Sequence, residues 1–195
     1  LAANPGVYQT PDWSVAKQYE YNGVGLLTRT INPDGTSVRA YYAAHKTAAI
    51  DELNHQTIQE RDGLGRMLYA RQYSGTYTGE PGWSDTAYAT AQYQYDVADR
   101  LIQAVDALGA TTYITYNLAG WKTQMTDPDM GTWSYRYNAA GALTKQLDAR
   151  GQGVCFAYDG LGRLTTKTFT DTVPNFDALT CAGTPYTVGY TYDST

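Results

Sequence analysis

Residues 95–164 read YDVADRLIQAVDALGATTYITYNLAGWKTQMTDPDMGTWSYRYNAAGALTKQLDARGQGVCFAYDGLGRL. Within this stretch Tyr95, Tyr116, Tyr137 and Tyr158 stand 21 residues apart, and each precedes an acid or its amide: Asp96, Asn117, Asn138 and Asp159. A fixed stride of this length marks a chain built from tandem copies of one supersecondary unit. Each copy opens on the Tyr and runs through a short turn that ends near Gly and Arg, as in YDVADRL, with Arg100, and YDGLGRL, with Gly162 and Arg163. A second Asp follows eleven residues after the Tyr, at Asp106, Asp127 and Asp148, with Gly109, Gly131 and Gly151 three or four positions beyond it.

Two turn signals cut each period into two runs of strand length, so one copy is a β-hairpin. Asp at the first position of a turn caps backbone N–H groups, and Gly at the fourth tolerates the positive φ of a following bulge. In the second half of each copy large apolar groups alternate with smaller or polar ones: Ile114 and Tyr116; Trp133, Tyr135 and Tyr137; Val154, Phe156 and Tyr158. That is period two, predicting strands that bury this aromatic face. Helix loses, because Thr, Tyr and Val dominate, Gly recurs about every ten residues, and no apolar stripe runs at a period of about 3.6.

Outward from the regular core, 95–158, the unit persists in degraded form over 19–42, 61–73 and 190–195. YEYNGVGLL opens the first of these, RDGLGRM the second with Arg61 in place of the Tyr, and Tyr190, Tyr192 and Asp193 the third. The intervals from 61 to 95 and from 158 to 192 are both 34 residues, one period plus 13, which predicts loop insertions at 74–86 and 171–183. The stretch 43–60 fits the unit poorly, and its Ala, Glu and Leu content allows a short helix or an irregular pairing. The whole chain, 1–195, is read as one repeat segment. Starting at Leu and ending inside a repeat, it is expected to be a slice of a longer protein.

Composition narrows the partners. A net charge of -5 and a pI near 4.9 disfavour nucleic acid and anionic membrane surfaces, which need clustered Lys and Arg. No apolar run approaches membrane-spanning length, and nothing at the N-terminus resembles a signal peptide. Cys155 and Cys181 are the only thiols, and a disulfide and two free cysteines both stay open.

These motifs resemble the Rhs/YD-repeat family: YDGLGRL at 158–164, YDVADRL at 95–101 and RDGLGRM at 61–67, each with its downstream Asp and Gly. The family includes bacterial Rhs polymorphic toxins, the B and C components of insecticidal toxin complexes, and teneurins. The resemblance implies an all-β fold, in which tandem hairpins form a continuous, spiralling antiparallel sheet that is part of the wall of a hollow shell. It further implies a secreted or cell-surface location, and a toxin or effector cargo held by the rest of the parent shell. The chain departs from the pattern at Asp99, which stands where the turn Gly is usual, and at Trp121 and Ala142, which replace Arg. An Arg in that place is expected to lie across the neighbouring hairpin, on carbonyls or on the adjacent repeat's Asp, and Trp121 to replace it by stacking. The family's aspartyl autoprotease motif is not recognisable. Asp127-Pro128-Asp129 looks superficially like part of it but falls at an ordinary turn.

The remaining chemistry is thin. Nearly every acid of the regular core has a turn position, so paired-carboxylate hydrolysis is disfavoured. His45 and His55, with Asp51 and Glu52 between them, match no metal signature. No G-x-S-x-G and no phosphate-binding loop is present. Neither an enzyme activity nor a cofactor or metal is expected. Trp83, Trp121 and Tyr113 are candidates for stacking on a carbohydrate ligand, against the plainer reading that aromatic rings pair across strands. About a dozen strands at roughly 4.8 Å make a strip near ~58 Å wide, which rolls to a cylinder about 18 Å across. That is too narrow for a folded cargo of about 100 residues, whose radius of gyration is near ~13 Å, so encapsulation belongs to a longer chain. Two open sheet edges would favour self-association of the segment.

Overall fold

The computed structural model describes residues 15–170, 172–173, 175–176, 178–181 and 186–193. Asp171, Pro174 and Gly183 of the second insertion, and the last two residues of the final degraded repeat, lie outside the described residues. The chain divides into two compact units between Ala91 and Gln92. The first unit holds β1 (Gln18–Tyr21), β2 (Leu27–Ile31), β3 (Ser37–Ala43), β4 (Lys46–Ile50), β5 (Gln56–Arg61) and β6 (Met67–Tyr73). β7 (Ala89–Tyr95) crosses the boundary. The second unit continues with β8 (Leu101–Val105), β9 (Thr111–Tyr116), β10 (Lys122–Asp127), β11 (Gly131–Tyr137), β12 (Leu143–Leu147), β13 (Gly153–Tyr158), β14 (Leu164–Phe169) and β15 (Tyr186–Gly189). Within each unit every strand pairs antiparallel with its neighbour in sequence, and the described residues contain no α-helix.

One corner design makes nearly all the reversals. At 159–163 the Asp159 N–H donates to the Arg163 carbonyl (2.9 Å) and the Gly162 N–H to the Asp159 carbonyl (3.0 Å). The Asp159 Oδ1 accepts the N–H groups of Leu161 and Arg163, both at 2.9 Å. The carboxylate thus replaces the ladder partners that the turn residues lack. The fourth residue is left-handed, Gly162 at a φ of 78°, and a bulge at Ala157/Tyr158 absorbs the extra residue. The same corner recurs at 22–26, 32–36, 51–55, 62–66, 96–100, 106–110, 117–121, 138–142 and 148–152. Asp99 keeps the left-handed backbone at a φ of 62° without being Gly. The turn at Asp127 differs: Asp127 pairs with Gly131, which is the left-handed residue at a φ of 69° in the fifth place, and the Asp127 Oδ1 accepts from Asp129 and Met130.

The stretch 43–60 is neither helical nor irregular. It contains β4 and β5, joined to β3 by a two-residue turn with Ala44 at a φ of 46° and to each other by a corner of the common design. Asp51 caps that corner through Leu53 and His55, and Asn54 takes the left-handed place at 65°. Asn tolerates this conformation through local hydrogen bonding, and its use in place of Gly hid the turn. The Ala content also has a packing reason. Ala48 is fully buried with Ile58 and Tyr73 beneath the insertion, whose Tyr77, Trp83 and Ala87 press on them.

Burial follows the expected aromatic face in β9 and β11, where Ile114, Tyr116 and Tyr135 are more buried than Thr115 and Arg136, and departs from it in β13. In β13 the aromatic side, Val154 and Phe156, is only half-buried, while Gly153 and Cys155 on the other side are buried. A single sheet cannot bury either face by itself, and burial follows whatever lies on top. Here the two insertions supply the cover: one over Ala48, Ile58 and Tyr73, the other, through Val173, Phe176 and Leu179, over Leu147 and Cys155. A Cβ added at Gly162 would meet no atom within 4 Å, so substitution there tests backbone strain alone. In urea unfolding, Gly162→Ala is expected to cost about 1–2 kcal/mol and Gly162→Asn clearly less, because Asn accepts the left-handed region.

Candidate functional site

What one hairpin does to the next is set by the Tyr that opens each copy. The Tyr116 hydroxyl donates to the Leu101 carbonyl at 2.9 Å, Tyr158 to Leu143 at 2.8 Å, Tyr192 to Leu164 at 2.8 Å and, in the first unit, Tyr42 to Leu27 at 2.8 Å. In each case the acceptor is the residue immediately after a corner, so the ring spans from its own strand to the preceding hairpin. The fifth corner residue then closes over that ring. The Arg100 guanidinium lies 4.9 Å from the centre of Tyr116, and that of Arg163 lies 4.6 Å from the centre of Tyr192. Trp121 does the same with a different side chain, its ring centre 5.5 Å from that of Tyr137. It also packs so tightly on the next corner that a Cβ at Gly141 would sit 3.1 Å from the indole.

The arginines are also bound within their own corners. Arg66 Nε donates to Asp62, Arg100 Nε to Asp96 and Arg163 Nε to Asp159, each at 2.7 Å. Arg100 also reaches the Asn117 carbonyl of the next corner at 3.0 Å. This reveals a pairing between the first and fifth corner positions that sequence reading missed. In the corners at the start of a copy, Asp62, Asp96 and Asp159 stand with Arg, and Asn22, Asn117 and Asn138 with Leu26, Trp121 and Ala142; elsewhere Asp51, Asp106 and Asp148 stand with His55, Ala110 and Gln152. A half-buried carboxylate needs its cation, whereas the amide accepts the same backbone N–H groups without one.

The two insertions are straps on equivalent hairpins. Over the first, the Arg39 guanidinium donates to the carbonyls of Tyr77 (2.5 Å) and Thr78 (2.6 Å) and to the Asn54 side chain (2.7 Å). The buried Gln56 grips Gly82 from both sides, accepting its N–H at 2.7 Å and donating to its carbonyl at 3.3 Å. Over the second, Cys155 and Cys181 form a disulfide, Lys145 donates to the Leu179 carbonyl at 2.9 Å, and the Arg136 guanidinium stacks at 4.8 Å on Phe176. Beside this strap a polar groove of about 980 Å³ is lined by Thr115, Gln124, Ser134, Arg136, Arg150 and Phe176 among others.

The carboxylates named in the sequence are occupied. Asp96, Asp106, Asp148 and Asp159 each accept two backbone N–H groups, and Asp127 also accepts the Thr112 hydroxyl at 2.5 Å. His45 lies in the two-residue turn and His55 in the corner at the other end of β4, roughly 17 Å away at strand rise, too far to share an ion. Of the aromatic candidates, Trp83 belongs to the first strap and packs down on the cluster of Ala48, Ile58 and Tyr73, Trp121 is engaged by Tyr137, and Tyr113 is exposed on β9.

Removing one hydroxyl from this lock, Tyr116→Phe, is expected to cost about 1 kcal/mol in urea unfolding. Trp121→Ala is expected to cost about 1–2 kcal/mol. Asn117→Asp and Trp121→Arg, each unfavourable alone, should couple favourably by about 0.5–1 kcal/mol in a double-mutant cycle. Acid provides a second check. Hydrogen bonds from the Arg100 side chain and then its N–H hold Asp96 below the usual carboxylate range, and those from the Arg163 N–H and then its side chain do so for Asp159. With the folded value depressed, the unfolded chain takes up the proton first. The stabilisation is therefore complete above about pH 4 and is lost as pH falls through the lower folded-state values. The urea midpoint should drop on acidification, and Asp96→Asn should flatten that drop.

The RHS repeat family model matches three overlapping stretches, 95–132, 116–152 and 137–173, in step with the 21-residue stride. No curated protein sequence matches the chain. Among solved structures, it is similar to a chain of the TcdB2–TccC3–Cdc42 crystal structure with a TM-score of 0.66 and 18% identity, over 79% of this chain and 8% of that one. A chain of the Photorhabdus luminescens Tc holotoxin pore matches with a TM-score of 0.67 and 18% identity, over 82% of this chain and 9% of that one. A third, TcdB2–TccC3 without its hypervariable C-terminal region, gives 0.65 and 19% over 78% and 8%. The chain thus spans less than a tenth of the length of each of these. Residues 95–173 are thus a tandem array matched by the RHS repeat model in register with the tyrosine ladder, on a fold shared with toxin-complex chains.

Proposed function

We propose that the chain is a non-catalytic wall segment of an Rhs-type shell, which encloses or scaffolds a toxin or effector domain in a longer, exported parent protein. The observation that carries this reading is the repeated lock, in which the rings of Tyr42, Tyr116, Tyr158 and Tyr192 are each fastened to the hairpin before by a main-chain acceptor. Such a lock propagates hairpin by hairpin and has no natural end, as a wall requires. The similar structures add a context, since they are of toxin-complex chains and one lacks a hypervariable C-terminal region. The Cys155–Cys181 bond favours an oxidising, extracytoplasmic setting.

Among the described residues β1 and β15 each pair on one side only, and we read both edges as continuing into further hairpins of the parent. The direct test is electron microscopy of the purified parent chain, with protease treatment of its C-terminal domain. A hollow particle that shields that domain is expected; a solid or extended particle with a freely cleaved domain would sink the reading. The isolated 195-residue segment is expected to self-associate through its edges, and sedimentation as a clean monomer at high concentration would count against them.

A further inference from the structure

The two straps leave equivalent strands at the same point of the repeat but are held by different chemistry. Counted back from the residue that opens the corner, Arg61 in one hairpin and Tyr158 in the other, Ile58 corresponds to Cys155 and Gln56 to Gly153. In the first unit Gln56 and Arg39 clamp the strap main chain, and the apolar contacts of Ile58 complete the seal. In the second unit the Gln is missing, and Lys145 holds the strap main chain at the Leu179 carbonyl instead. Gly153 has no side chain to grip with, and its place is taken by Leu179, whose Cδ1 would lie 2.3 Å from a Cβ at 153. Leu179 is 1% exposed against Leu147 and Cys155. The disulfide stands where the first unit has Ile58.

We propose that the described strap residues from Thr172 to Cys181 form a redox-controlled flap, latched by Cys155–Cys181, whereas the first strap is closed irrespective of redox state. Cys181 is exposed and Cys155 is 5% exposed, so an external dithiol meets the Cys181 sulfur first. Its thiolate attacks Sγ of Cys181 and the disulfide breaks, with Cys155 leaving as a thiolate that takes a proton. The second thiol of the reagent then displaces Cys181 from the mixed disulfide. The dithiol is oxidised to its own disulfide and the protein gains two thiols. Release of the strap uncovers Leu147 and Cys155 and removes Val173, Asn175 and Phe176 from one wall of the polar groove. The flap is therefore open in a reducing compartment and sealed in an oxidising one, whether or not the chain belongs to a shell.

Hydrogen exchange on the intact chain, with and without dithiothreitol, tests this. Reduction should speed exchange at the Val173 and Leu179 amides, which donate to Gly151 and Phe176, by about tenfold or more. The Tyr77 and Gly82 amides of the first strap should not change. A Cys155→Ala, Cys181→Ala variant should give the same pattern without reagent; if it does not fold, reduction of the folded wild type decides. Iodoacetamide after reduction should modify both cysteines. Retained protection at Val173 and Leu179, or labelling of Cys181 alone, overturns the proposal. So does loss of protection spreading equally through β8–β11, since the bond would then hold the unit and not a flap.

Discussion

A tyrosine hydroxyl bonded to the carbonyl that follows the preceding corner is the contact on which the architecture depends. Hairpins alone are marginal in water, and the ladder hydrogen bonds between them are indifferent to which hairpin comes next. The Tyr–carbonyl bond adds a long-range coordinate. It fixes where the end of one strand lies relative to the start of another, 15 residues earlier in Tyr116–Leu101, Tyr158–Leu143 and Tyr42–Leu27. Where a strap intervenes the same bond spans 28 residues, from Tyr192 to Leu164. The lock therefore measures space rather than sequence, and a strap can be inserted at a corner without breaking the frame.

The straps answer a different constraint. A sheet one layer thick has two faces and no core, and the ladder of half-buried aromatic side chains covers only part of one of them. Each unit obtains its buried apolar cluster by folding a connection back over three or four strands, and the sequence beneath adjusts to the load. Ala48 and Gly153 are small where the strap presses, and Gln56 and Arg39 present polar ends where strap carbonyls and N–H groups would otherwise be stranded.

Much of this was legible in the sequence for a physical reason. Corner chemistry is local, so Asp or Asn at the first position and Gly at the fourth announce the turn wherever they occur. Legibility stopped where a local rule was met by an unusual residue, as with Asn54 in the left-handed place, or where tertiary load chose the composition, as in Ala-rich β4. The buried face of β13 was not legible, because alternation reports two chemically different faces but not which of them acquires a cover. Spacing placed the insertions yet could not show that they fold back, because that depends on Leu179 meeting Gly153 and on Gln56 meeting Gly82. In the corners at the start of each copy, the pairing of Asp with Arg and of Asn with uncharged groups was present in the sequence. It becomes meaningful only when the fifth residue is seen to bridge its own carboxylate and the next tyrosine.

That bridging position explains how such a sheet can diverge widely in sequence while keeping its fold. The corner bonds run from side-chain oxygens to backbone N–H groups, and the lock runs from a hydroxyl to a backbone carbonyl, so neither constrains the identity of most strand residues. The fifth position constrains only a pair. Arg with Asp and Trp with Asn both cover the next ring, one through charge and cation–π contact, the other through aromatic contact. Because each hairpin answers chiefly to its neighbours, an exchange of one pair for the other is compensated within about one repeat and leaves the next register unchanged. Sequence can drift along the strands at little energetic cost so long as each corner keeps its cap and each tyrosine its carbonyl.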